Sequence, residues 1–514
     1  MSFRSGRHTK RYIIILGIIL IITYLSSLQV KTGHGTSGPL VADDDVDPMA
    51  FDYIRPLEHD QDRVDGQLEI IPAAPVALPE QKPSIPSSYA ASIQRINQKY
   101  CGSSQCRFIL PVAITEQESK AQYHFRQLAF LAGKVHRTIV LPNVHSSHLG
   151  ACRQHPFDFY YDYSWMDANK DAFNYITMEQ FQYWLQERRA VEATPSGQEV
   201  FIEINEAYPH LAKADNCFKD LFDFTHRPRT RFQLEDPETE SKRTGNFTEI
   251  LMDVLGDKAR QKDYIDQRAR DRLVQGDDGM TTVNDQDVVP DLEVIHLFYD
   301  RRFGYIEDPR VEEPLAYHSR WTTLADQIAA QLYPFVAIHW RMERLEPLSN
   351  MQPCAESLVR KLDTLKDSMA IPTKNVFLLT DYPHLLTSPM AKPESMSFKL
   401  NELQQEHHDA VRYLYERTNV TLTTLQRPDI PYQDLPSSNW NLIPVEAMSK
   451  PADKSILGIV DKLVAIRAQW FLYGQPAVCG KESSFTRRIR SERVDAYQQG
   501  DPKIIYPADV FRLS

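Results

Sequence analysis

Short apolar runs alternate with stretches of helical periodicity along most of this chain, and that alternation restricts it to an α/β architecture built on parallel strands. Arg107–Ile114 (RFILPVAI) reads as a buried strand. Ala121, Phe125, Leu128 and Ala132 then recur at spacings of four, three and four on one helix face, and Thr138–Leu141 (TIVL) supplies the next strand. The rhythm returns with strands at Phe335–His339 and Asn375–Thr380, a helix around His408–Arg417, and a strand at Val420–Leu425. A helix over Ile456–Leu472 and a short strand at Ala477–Cys479 complete it. Two groups of βα units, separated by an acidic, irregular middle over about 234–291, predict two Rossmann-like halves facing one another.

The ends of the chain read differently. Tyr12–Leu28 is an uncharged apolar run preceded by Arg4, Arg7, Lys10 and Arg11, which predicts a retained signal anchor with its amino end in the cytoplasm; a cleaved signal peptide is the alternative. A short span suits the thinner membranes of the Golgi or endoplasmic reticulum. Beyond it, prolines at 72, 75, 79, 83 and 86 and few large apolar residues predict an extended stem, in which Asp43, Asp44 and Asp45 read as solvated charge. The division is therefore a cytoplasmic tail at 1–11, a signal anchor at 12–28, a stem at 29–88, an amino-terminal Rossmann-like domain with the acidic insertion at 89–318, and a carboxyl-terminal nucleotide-binding domain at 319–514.

Charge and cysteine use narrow the partners. With Lys+Arg 58 against Asp+Glu 69 the net charge is −11, so no global positive field holds a nucleic-acid backbone. All six cysteines lie beyond the anchor, where a lumen would oxidise them. Without a Cys-x-x-Cys pair they read as disulfide partners rather than zinc ligands. Asn246-Phe-Thr and Asn419-Val-Thr are acceptors for N-glycosylation in the same setting.

Three places carry candidate chemistry. Neither a Gly-x-Gly-x-x-Gly nor a Walker A sequence is present, which disfavours NAD enzymes and P-loop ATPases. In Phe335-Val-Ala-Ile-His-Trp-Arg-Met-Glu343 an apolar strand delivers His339, Arg341 and Glu343 at its carboxyl end, where open α/β sheets bind ligands; Arg341 can fork onto phosphate or pair with Glu343. Asp381 ends the strand Asn375–Thr380, placed to orient a ribose or a basic group, or to cap the next turn. Near the carboxyl end, Ser483, Ser484 and Phe485 open a basic helix whose amino terminus can hold phosphate or simply be capped, with Arg487, Arg488, Arg490 and Arg493 as a solvated or dipole-satisfying face. Beyond the predicted stem the only Asp-x-Asp, Asp285-Gln-Asp287, falls in the middle segment rather than at a strand end, so a metal-free diphosphate site is expected, neutralised by arginine and a helix terminus.

These segments, in this order, resemble the GDP-fucose-dependent fucosyltransferase superfamily that includes the protein O-fucosyltransferases and the α1,6-fucosyltransferases, nearest to its fungal and plant-like O-fucosyltransferase-related members. The likeness runs over about Phe108–Val144, Phe335–Leu358, Asn375–Asp381 and Ile456–Arg493. It implies a GT-B-like pair of Rossmann domains that inverts the sugar's anomeric carbon and needs no metal cofactor. It also implies that Arg341 meets the GDP diphosphate, that His339 lies against the nucleoside, and that Asp461 accepts from guanine N1–H and N2–H. Ser483, Ser484 and Phe485 would form the phosphate turn, and Asp381 would support the site. Where the family carries a glycine-rich turn, this chain reads Thr115-Glu-Gln-Glu-Ser, and Glu116 is the matching catalytic base, with Glu118 as the second choice. The acceptor would be a hydroxyl of a protein or glycan. Transfer of another sugar from a different nucleotide, or a catalytically inactive lumenal binding protein, are the alternatives.

Overall fold

The computed structural model describes residues 87–203, 211, 214–225, 229–233, 292–300, 306–367, 375–383, 398, 400–425, 440–446 and 453–513. The predicted anchor, the stem up to residue 86 with its acidic triplet, and the middle segment 234–291 with Asp285, Asp287 and Asn246 lie outside those residues, while Ser87 and Ser88, assigned to the end of the stem, begin a helix. Among the described residues no helix is long and apolar enough to cross a membrane.

The first sheet gathers β1 (Phe108–Ile114), β2 (Thr138–Val140), the short β3 (Val144–His145) and β4 (His148–Leu149), β5 (Tyr175–Ile176), β6 (Gly197–Glu203), β7 (Thr230–Gln233) and β8 (Val294–Tyr299). Its parallel path runs β5-β2-β1-β8-β6-β7, and the β3–β4 hairpin joins the carboxyl end of β1 through Ile114 and Leu149. Helices α1 (Ser87–Cys101), α2 (Glu118–Lys134), α3 (Ser164–Ala168) and α4 (Met178–Ala190) flank these strands. Because helices cover both faces, β1 and β8 are apolar almost throughout rather than alternating. The expected face of α2 is in place: Ala121, Phe125, Leu128 and Ala132 are all fully buried.

The second sheet holds six strands, β9 (Phe335–Trp340), β10 (Asn375–Thr380), β11 (Val420–Thr424), β12 (Trp440–Pro444), β13 (Trp470–Gly474) and β14 (Tyr506–Phe511). All pair in parallel, in the order β12-β11-β10-β9-β13-β14. The chain steps outward from β9 to β12 and then returns to the other side of β9, so the strand order reverses between β9 and β13. Helices α5 (Ser319–Leu332), α6 (Met351–Asp367), α7 (Gln405–Arg417), α8 (Ser455–Ile466) and α9 (Ser484–Gln498) complete this half.

Several sequence expectations need correction here. The helix expected over Ile456–Leu472 stops at Ile466, because Trp470-Phe-Leu-Tyr-Gly474 is a run of strand-favouring aromatics that enters the sheet beside β9. Ala477–Cys479 forms a turn rather than a strand, with Ala477 at φ 61° and the Val478 amide donating to the Gln475 carbonyl. Strand β9 ends at Trp340, so Arg341 and Glu343 leave it in a turn instead of alternating along it.

Arg493 is not solvated. Fully buried, it donates to six carbonyls: Ala465, Ile466, Ala468, Gln469, Tyr506 and Pro507. It therefore caps the carboxyl end of α8 and ties β14 to it, although burial lowers its pKa to about 9. Arg493→Met is expected to cost about 2–3 kcal/mol by stranding those carbonyls, read as a lowered denaturant midpoint.

The six cysteines pair as Cys101–Cys106, Cys152–Cys217 and Cys354–Cys479. The last closes across 125 residues and fixes the turn after β13 onto α6.

Candidate functional site

The reversal between β9 and β13 opens a crevice at the carboxyl ends of both strands, the place where doubly wound sheets bind ligands. Register sets His339 between Leu379 of β10 and Tyr473 of β13. A pocket there is lined by His339, Arg341, Tyr473 and Gly474, the turn with Gly480 and Lys481, and the start of α9 with Ser483, Thr486, Arg487 and Arg490. Gly474 is required by close approach: a Cβ there would lie 2.4 Å from the Cys479 carbonyl oxygen, which folds back over it.

Of its two sequence readings, Arg341 shows the ion pair, and it also faces the crevice. Its guanidinium pairs with the Glu343 carboxylate, yet it lines the pocket, and its buried Nε has no hydrogen-bond partner among the described residues. Glu343, almost wholly buried, also takes Lys481 Nζ at 2.9 Å, and the Lys481 amide donates to the Arg341 carbonyl at 3.1 Å. One carboxylate thus orients two cations, and Arg487 and Arg490 add two more. Ser483 is the N-cap of α9, its Oγ accepting from the Thr486 amide at 3.0 Å, so capping and pocket lining coincide. Ser484 opens the helix but does not line the pocket. The 15-residue α9 directs its positive end into the crevice.

His339 is held by Thr486 Oγ1 at 2.7 Å from its Nδ1, and the Phe485 ring packs 5.0 Å away. Burial, with the Arg341 charge added, lowers its pKa to about 3, so the imidazole is neutral at physiological pH. Asp381 lies beneath the site: its carboxylate accepts from the Met342 and Glu343 amides at 2.8 and 3.1 Å and fixes the turn that carries Arg341. Burial raises its pKa to about 6 against the pull of those amides.

Asp461 does not line the pocket. It sits on α8, where its carboxylate accepts from Thr423 Oγ1 of β11. The structure therefore brings together His339, Arg341, Ser483 and Phe485, supports them with Asp381, and leaves Asp461 to one side.

In the other half, Glu116 turns the chain between β1 and α2 at φ 76°, a left-handed backbone that glycine adopts without cost. Its Oε2 lies 3.1 Å from Lys120 Nζ, and His148 Nδ1 donates to its carbonyl at 3.1 Å. Glu118 is excluded as a base. Buried, it accepts from Lys462 Nζ at 2.6 Å, Tyr317 at 2.8 Å, Gln122 at 2.9 Å and Tyr161 at 3.0 Å. Burial alone would raise its pKa, but the Lys462 charge and these donors take it down to about 2. Lys462 belongs to α8, so this ion pair fastens the first half to the second.

Sequence reasoning missed Lys481 and Thr486 and gave Arg487 and Arg490 only as a solvated or dipole-satisfying face. A signal was available: Ser483, Thr486, Arg487 and Arg490 fall three, four and seven apart, which is one face of one helix.

No protein-family profile and no curated protein sequence matches this chain. Among solved structures it is similar to POFUT1 in complex with GDP, at 15% sequence identity and a TM-score of 0.37, over 79% of this chain and 98% of that one. It is also similar to POFUT1 in complex with GDP-fucose, at 14% identity and a TM-score of 0.38, over 80% of this chain and 98% of that one. The fucosyltransferase NodZ from Bradyrhizobium is similar at 11% identity and a TM-score of 0.30, over 75% of this chain and 92% of NodZ.

Proposed function

We propose that the protein is an inverting glycosyltransferase of GT-B type that moves fucose from GDP-fucose to a hydroxyl of a protein or glycan. The observation that carries this reading is the buried Nε of Arg341, without a hydrogen-bond partner among the described residues, in a pocket it shares with Lys481, Arg487, Arg490 and the amino end of α9. Such a site fits a diphosphate. Those cations supply the neutralisation that other enzymes take from a divalent ion, so the reaction is assigned no metal. Asp461, on α8 beside Thr423, would take guanine N1–H and N2–H.

In the transfer, the bond from the fucosyl anomeric carbon to the β-phosphate oxygen breaks and its electron pair leaves with GDP. The acceptor oxygen bonds to the opposite face of that carbon, and its proton passes to Glu116. With the apolar run 12–28 as anchor, the catalytic part would face the lumen of the Golgi or endoplasmic reticulum.

The test is a thermal-shift ranking of GDP, UDP and CMP, followed by GDP release from GDP-fucose with and without manganese. GDP should raise the melting temperature most, and turnover should not need manganese. Preference for UDP or CMP would reassign the donor, and turnover appearing only on manganese addition would overturn neutralisation by side chains.

A further inference from the structure

Away from the nucleotide pocket, two imidazoles and a carboxylate meet where the halves touch. His145 ends β3, and His155 pairs with Val144 through two backbone hydrogen bonds of 2.7 and 3.1 Å, which sets the imidazoles side by side with ring centres 5.4 Å apart. Asp453 arrives from the second half, just before α8, with its Oδ2 3.7 Å from His145 Nδ1. One ligand atom from each of the three lies within 4.8 Å of the others.

We propose that His145, His155 and Asp453 form a divalent transition-metal site of the zinc class that joins the two halves. Two imidazoles and one carboxylate are a zinc donor set, with water completing a tetrahedron. A tetrahedral ion with bonds near 2.1 Å spaces its ligand atoms about 3.4 Å apart, so the 4.8 Å cluster closes by about 1.4 Å, within side-chain adjustment.

The surroundings are those of oriented ligands. Asp453 accepts from the Tyr160 hydroxyl at 2.5 Å, the Ser455 amide at 3.0 Å, at the amino end of α8, and the Ser146 amide at 3.3 Å. The His155 ring stacks on Phe159 at 4.2 Å, while its buried Nε2 makes no hydrogen bond among the described residues. With every cysteine in a disulfide, no thiolate competes.

The full-length chain, stripped with chelator, is titrated with zinc by calorimetry and with cobalt(II) by absorption. Wild type should take up zinc with a rise in melting temperature and show tetrahedral cobalt bands. His155→Phe, which keeps the stack on Phe159, and separately His145→Gln should each weaken zinc binding at least about tenfold and remove those bands. Stabilisation by GDP, retained in both variants, shows that they are folded and reports the nucleotide pocket independently of the metal. No zinc uptake by wild type, or uptake and cobalt bands unchanged in both variants, overturns the site.

Discussion

In the proposed transfer, Arg341→Ala is expected to lower turnover of GDP-fucose by about 10²–10³-fold, the loss seen when one charge-stabilising donor is removed from a preorganised site. The reason is timing. Negative charge on the β-phosphate grows as the glycosidic bond breaks, so a guanidinium fixed by Glu343 before the reaction stabilises the transition state more than bound GDP-fucose. The loss should therefore appear mainly in kcat, with a smaller rise in KM. Arg341→Lys is expected to recover only a small part, because an ammonium keeps the charge but loses the planar fork. Glu343 retains Lys481 in either variant, so the melting temperature should hold near wild type. Steady-state GDP release by the three proteins decides the matter, and wild-type kcat in Arg341→Ala would refute the role.

Lys462→Met destabilises the protein by about 3–5 kcal/mol, because Glu118 is then left charged and buried without its counter-ion. The double variant Lys462→Met with Glu118→Leu should recover much of that loss, since no charge remains inside. The pair also sets a pH response. Glu118 titrates at about 2 in the folded chain against 4.5 as its ordinary value, so its contribution is complete above the ordinary value and is lost as pH falls toward 2. In Lys462→Met the sign reverses: burial raises the Glu118 pKa, and the variant should be relatively more stable in acid than at neutral pH. Urea midpoints across pH for the single and double variants test both statements. Equal pH slopes in wild type and Lys462→Met would contradict the assignment.

How far the residues could be read in advance depended on whether their chemistry is local. The β1–α2–β2 opening and strands β9, β10 and β11 were legible because buried parallel strands are unbroken apolar runs and α2 carries a clean period. Strands β6, β8 and β14 went unseen: β6 opens on Gly197, Gln198 and Glu199 and β14 carries Pro507 and Asp509, which break the apolar run that marks a buried strand, and β8 follows the irregular middle segment with no helix read before it. The overrun of α8 into β13 has a plain cause: Ile466 to Trp470 lacks glycine or proline, and the helix is ended by Arg493, far along the chain. His339, Arg341 and Ser483 could each be named as candidates because strand ends and helix starts announce themselves, but only the resemblance joined them in one site. Lys481 could not, since its role follows from a turn pinned by Cys354–Cys479 and from sharing Glu343 with Arg341. Glu118 was the second choice of base, and only its partner on α8, 344 residues later, marks it as an interior ion pair.

The conformation of Glu116 sets heat resistance against chemistry. A non-glycine residue held at φ 76° carries about 1–2 kcal/mol of strain that glycine would release. Directed evolution for thermal tolerance alone would then favour Glu116→Gly, hardening the fold while deleting the group assigned to take the acceptor's proton. Only a selection that also demands sugar transfer would keep the carboxylate.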